Sequence, residues 1–230
     1  MGTNDGEEFA KRLCPHRGIG GEDTLAAIQQ GISVKPFLVE FDVQWYDDDL
    51  YLGHPPGVQQ EATLAQAIDL FSRIDTFPKI DLKLTSETSK QGLGALIEQV
   101  RAWSPHKALI NIAGSLTADQ YMQAETALIN ETDQHALLNI DLKRYEGKSR
   151  SEMSQHIEHL GRKPFSVSPN LDSDLEDAIN LALSEAIPQV HFWAFPGSRH
   201  SEVRLRELMR SCLDRGLEVY FDMKTDNITP

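Results

Sequence analysis

Five segments of this 230-residue chain alternate apolar and polar residues with a period of two, and many of the polar positions carry charge. Val39, Phe41 and Val43 oppose Glu40, Asp42 and Gln44; Ile80, Leu82 and Leu84 oppose Lys79, Asp81 and Lys83. Leu138, Ile140 and Leu142 oppose Asn139, Asp141 and Lys143, and Phe165 and Val167 oppose Ser166, Ser168 and Asn170. Val219, Phe221 and Met223 oppose Tyr220, Asp222 and Lys224. Each reads as a strand with one apolar and one polar face. Parallel strands covered on both faces would instead be near-continuous apolar runs. An antiparallel sandwich with one solvated face would alternate in the same way, but helical segments between the strands argue for βα units. Charged faces turned into a closed barrel must be met by pairing, by a metal or by a substrate.

Eight strands are expected: 11–16, 37–45, 79–84, 108–113, 136–143, 164–170, 189–195 and 217–224. Helical segments at 24–30, 63–74, 87–103, 117–129, 151–160, 173–185 and 201–215 separate them. Asp23 and Ser173 are placed to cap helix starts, and Gly31 and Gly216 to close helix ends. Most strand starts are roughly 25 to 29 residues apart, the size of one βα unit. The long second interval holds an extra short run, 50–53, which ends at His54. Residues 1–230 are therefore expected to form a single (β/α)₈ TIM barrel.

Composition narrows the function classes. Twenty-two Lys and Arg against 35 Asp and Glu leave a formal charge of −13, the wrong sign for a nucleic-acid or anionic-membrane surface. Cys14 and Cys212 are too few for a disulfide framework and read as two free buried thiols. No apolar run approaches the ~20 residues of a membrane span, and the first residues lack signal-peptide architecture. The expected setting is cytoplasmic.

The chemistry concentrates between residues 14 and 83. His16 and Arg17 fall at the end of the first strand, before Gly18, Gly20 and Gly21. Glu40 and Asp42, two apart on a strand, point the same way, and Asp81 can add a third carboxylate. Three such oxygens suit a hard divalent cation, Mg²⁺ or Ca²⁺. With Arg17 and Lys83 alongside, the group addresses a phosphate, while His16 and His54 supply an acid and a base near neutral pH.

HRG at 16–18, EDT at 22–24, EFDV at 40–43, His54 and IDLK at 80–83 together resemble the glycerophosphodiester phosphodiesterases, within the phosphatidylinositol phospholipase C-like superfamily. The resemblance weakens downstream, through EATLAQAIDLF, SVSPNL and VHFWAF at 61–71, 166–171 and 190–195. It implies metal ligands at Glu40, Asp42 and Asp81, an acid–base pair at His16 and His54, and phosphate binding by Arg17 and Lys83. Three departures accompany it. First, the HRG and EDT motifs are joined by only IGG, with Asp23 where the family has Asn; second, His54 is followed by PPG rather than Asp; the third is a spacing. His54 and Asp81 are 27 positions apart, which leaves no room for the family's insertion subdomain. That shortness and the Asp at 81 are also similar to the sphingomyelinase D branch.

The expected activity is metal-dependent cleavage of a small-molecule phosphodiester, from glycerol or a related lipid or sugar. The alternatives are a lyase reaction releasing a cyclic phosphate, and a catalytically silent barrel that binds phosphorylated ligands. Glu22 either reaches the site or supports the first helix cap, and Trp193 either walls the pocket or packs. His156 and His159 read as a solvated helix face, Asp47–Asp49 as a polar hairpin tip, and Asp141 with Lys143 as an interior ion pair or a substrate contact.

Overall fold

The computed structural model describes residues 4–19, 23–54, 62–72, 74–103, 107–169, 175–193 and 202–223. Nine strands form one sheet: β1 (Leu13–Pro15), β2 (Leu38–Tyr46), β3 (Asp49–Leu52), β4 (Phe77–Thr85), β5 (Ala108–Ser115), β6 (Ala136–Asp141), β7 (Ser166–Ser168), β8 (Gln189–Trp193) and β9 (Glu218–Met223). Their order is β1-β9-β8-β7-β6-β5-β4-β2-β3. All neighbours are parallel except β2 and β3, a hairpin turned by Asp47 and Asp48 at φ 46° and 62°. The eight parallel strands are the eight expected from sequence, and β3 is the extra run before His54.

The helices are α1 (Asn4–Lys11), α2 (Leu25–Ser33), α3 (Leu64–Asp69), α4 (Ser89–Ala102), α5 (Ala118–Glu131), α6 (Arg150–His159), α7 (Leu175–Glu185) and α8 (Glu202–Asp214). Seven of them lie between successive parallel strands. The sheet curls until its two ends approach. At that seam a single parallel bridge pairs His16 with Glu40, and the Gly18 N–H donates to the Glu40 carbonyl at 3.1 Å. The result is a mostly parallel, curled sheet of TIM-like type.

The alternation has the consequence expected of it. Val39, Phe41, Val43, Ile80, Leu82, Leu84, Leu138, Ile140, Val219 and Phe221 all join the main apolar core. Burying each such side chain contributes roughly 1.5–3 kcal/mol. The opposite face is just as dry: Lys79, Asp81, Glu40, Asp42, Asn111, Asn139 and Asp222 are all fully buried. Its polar groups answer one another. Lys79 Nζ lies 2.5 Å from Asp222 Oδ2, His191 Nε2 lies 2.8 Å from Asp222 Oδ1, and the Ser166 and Ser168 hydroxyls donate to Asn139 Oδ1.

Several local expectations are corrected. Thr24, not Asp23, caps α2 by accepting from the Ala27 N–H at 3.1 Å. Gly31 lies inside α2 rather than closing it, and a Cβ there would press on Val39 at 3.2 Å; the helix ends before Lys35 at φ 53°. The strand expected over 136–143 stops at Asp141, where a 3₁₀ turn (Leu142–Tyr145) begins. His156 is buried, not solvated, with its Nε2 2.7 Å from the buried Glu125 of α5. Helix α1 had no clear signal in its acidic sequence. Cys14 and Cys212 are free and buried, as expected. Ser173 lies outside the described residues.

Candidate active site

The site is built where β1 ends, against the middle of β2 and β4. After β1 the chain turns through Arg17 and Gly18, at φ 59° and 68°. Position 18 must be glycine: a Cβ there would sit 2.4 Å from the Ala27 backbone of α2. This tight turn aims the backbone and both side chains of HRG at β2. The Arg17 N–H donates to Glu40 Oε2 at 2.8 Å, and His16 Nδ1 lies 2.7 Å from the same oxygen.

Asp42, two residues along β2, is held by two cations. Arg17 Nε lies 2.9 Å from Asp42 Oδ2, and Lys83 Nζ lies 2.7 Å from Asp42 Oδ1. Lys83 also reaches Asp81 Oδ2 at 3.3 Å. Asp42 and Asp81 are register partners across β2 and β4, so their carboxylates share one level of the interior. His54 returns to this level by way of the hairpin, since the Gly53 N–H donates to the Asp42 carbonyl at 3.0 Å. His54 itself is exposed. The structure thus brings together His16, Arg17, Glu40, Asp42, Asp81 and Lys83, with His54 on the adjoining return of the chain. Glu22 and the Trp193 side chain lie outside the described residues.

Burial and like charge shape the protonation states. Burial pushes the Glu40 carboxyl up, and the His16 ring beside it pulls it back. Burial would also raise Asp81, but Lys83 and Lys79 hold it below the usual carboxylate range. Burial would lower Lys83, yet Asp81 and Asp42 keep it firmly protonated. His16 is disfavoured as a cation by burial but raised overall by Glu40.

The carboxylates fit a divalent cation. One ligand oxygen from each of Glu40, Asp42 and Asp81 lies within 4.8 Å of the others. Glu40 Oε1 and Asp81 Oδ1 are buried without a hydrogen-bond partner, a costly state that a cation would relieve. A second buried group, Cys14, His191 and Asp222, also clusters its ligand atoms within 4.8 Å. There the Lys79 ammonium already neutralises Asp222, so a cation has less to gain. Asp141 pairs with Arg144 at 3.2 Å and accepts from the Lys143 backbone N–H, which corrects the expected Asp141–Lys143 ion pair.

Sequence reasoning missed one participant. Asp23 is buried, its Oδ1 accepts from the Asp42 N–H at 2.8 Å, and its Oδ2 lies 3.7 Å from Arg17 Nε. Burial first, then Asp42 and Glu40, push its carboxyl up to about 8. The only signal was its replacement of Asn in the EDT motif.

Fold and centre define a TIM-like α/β protein with an acidic and basic cluster on the polar face of its curled sheet. No protein-family model and no curated protein matches the chain. Among solved structures it is similar to a phosphodiesterase of Oleispira antarctica in complex with the product sn-glycerol-3-phosphate. That likeness has a TM-score of 0.64 at 15% identity and covers 94% of each chain. The two proteins share a fold over nearly their whole length.

Proposed function

We propose that this protein is a metal-dependent phosphodiesterase, built on a (β/α)₈ barrel that the His16–Glu40 bridge closes. The observation that carries the reading is the set of three carboxylates, Glu40, Asp42 and Asp81, converging beside Arg17 and Lys83. The shared fold with a phosphodiesterase supports it.

Glu40, Asp42 and Asp81 would hold Mg²⁺ or Ca²⁺, which when bound supplies positive charge to the phosphoryl oxygens. Arg17 and Lys83, while paired to carboxylates through Nε and Nζ, would offer their remaining N–H groups to a bound phosphodiester and offset the negative charge that gathers on it. His16 Nδ1 lies 2.7 Å from Glu40 Oε2, which would leave Nε2 for the acid–base function. His16 and His54 form the acid–base pair, one taking a proton from water or a substrate hydroxyl, the other protonating the leaving alkoxide. The short segment between His54 and Asp81 offers little chain for a lid, so the phosphate would be held firmly and the alcohol loosely.

The test is hydrolysis of bis(p-nitrophenyl) phosphate, glycerophosphocholine and larger lipid- or sugar-derived diesters, with Mg²⁺, with Ca²⁺ and with chelator. Slow cleavage that the chelator and Asp81→Asn both abolish is expected. Glycerophosphocholine is not strongly preferred; a hundredfold preference, about 2.7 kcal/mol, would show that the core motifs alone set glycerol specificity. Turnover indifferent to both chelator and Asp81→Asn would sink the metal assignment.

A further inference from the structure

We infer that Asp23 is a positioning residue that completes the β1–β2 seam and thereby holds the cation ligand Asp42 in place, an inference that rests on the reading of the site above. Among the described residues the seam has one ladder bridge, at His16 and Glu40. Two residues further along β2, the Asp42 N–H faces β1 with no strand to receive it. A buried N–H left unmatched there is costly. Asp23 supplies the acceptor instead: Oδ1 takes that N–H at 2.8 Å, from a side chain that is only 6% exposed as a whole residue. Its backbone adopts φ 48°, an uncommon conformation outside glycine that aims the carboxyl into the seam.

The same carboxyl acts on Asp42 from a second direction. Asp23 Oδ2 lies 3.7 Å from Arg17 Nε, and that nitrogen lies 2.9 Å from Asp42 Oδ2. Asp23 therefore fixes the backbone of Asp42 directly, and its side chain through a guanidinium the two acids share. A carboxylate ligand supported at both ends presents its oxygens without reorganising. The essential feature is the Oδ1 acceptor, which asparagine also offers.

Mg²⁺ affinity measured by calorimetry on wild type, Asp23→Ala and Asp23→Asn tests the role without needing turnover. Asp23→Ala should bind Mg²⁺ about tenfold more weakly and lose kcat toward bis(p-nitrophenyl) phosphate by a similar factor. Asp23→Asn should recover both to within about twofold, because it keeps the acceptor. Asp23→Ser, whose hydroxyl is too short to span to the Asp42 amide, repeats the comparison should Asp23→Ala not fold. Mg²⁺ affinity unchanged in the alanine and serine variants, or not rescued by asparagine, overturns the inference. If wild type cleaves no diester, the phosphodiesterase reading fails while the Mg²⁺ affinities still decide the role of Asp23. A wild type that binds neither Mg²⁺ nor Ca²⁺ overturns both.

Discussion

His16 Nδ1 and Glu40 Oε2 lie 2.7 Å apart across the seam where the first and second strands meet. On the proposed function the contact joins an acid–base residue to a cation ligand, so one carboxylate would serve two purposes through its two oxygens. Glu40→Gln should therefore weaken Mg²⁺ binding and lower kcat together, while the amide, of nearly the same size, leaves the thermal midpoint close to wild type. Calorimetry and single-substrate kinetics on the variant check it; a loss in only one of the two would separate the roles.

His54→Ala should lower kcat/KM by roughly 10² to 10⁴, the usual contribution of a general acid or base. The exposed ring contributes little to the core, so circular dichroism should show an unchanged fold. Full activity would mean that the proline-rich sequence after His54 has moved this role to another residue.

Gly18→Ala should destabilise the protein, because it combines two faults. The backbone at φ 68° costs a non-glycine residue roughly 1–2 kcal/mol, and a Cβ 2.4 Å from the Ala27 backbone forces α2 to shift. Urea unfolding would show it, and Arg17 beside it should lose its grip on phosphate as a higher KM. An unchanged unfolding midpoint would contradict the tight turn.

Below the site, Asp222→Asn would remove the carboxylate that faces the fully buried Lys79 ammonium. The expected cost is about 3–5 kcal/mol, as for other buried pairs broken from one side. Lys79→Met with Asp222→Asn should recover most of it. Chemical denaturation of the single and double variants measures the difference, and an additive double variant would deny the pairing.

Glu125 makes stability depend on pH. Burial raises its carboxyl above the ordinary 4.5, against the pull of His156. The folded protein then binds this proton more tightly than the unfolded chain. Its contribution is fully present below pH 4.5 and is lost as the pH rises through the folded value. Wild type should lose stability over that rise more steeply than Glu125→Gln, as read from urea midpoints at successive pH values. Parallel curves for the two proteins would place the charge elsewhere.

The sequence by itself determined the strands, their inward faces and most of the candidate site's residue cluster. A period of two is a local property, so Glu40, Asp42, Asp81 and Lys83 declared their direction without reference to the rest of the chain. His16 and Arg17 were legible because a glycine-flanked turn after a strand leaves few other placements. What only the tertiary structure decided is how these charges are matched. Lys79 and Asp222 both faced inward by their alternation, but their pairing spans 143 positions and arises from the curl of the sheet. His156 read as surface because its helix is polar; Glu125 on the neighbouring helix draws it inside. Asp23 read as a helix cap, but Thr24, one residue later, takes that task. Its side chain was thereby available for the Asp42 amide at the seam. Hydrogen bonds and ion pairs depend on distances of about 3 Å, which residue order alone does not set.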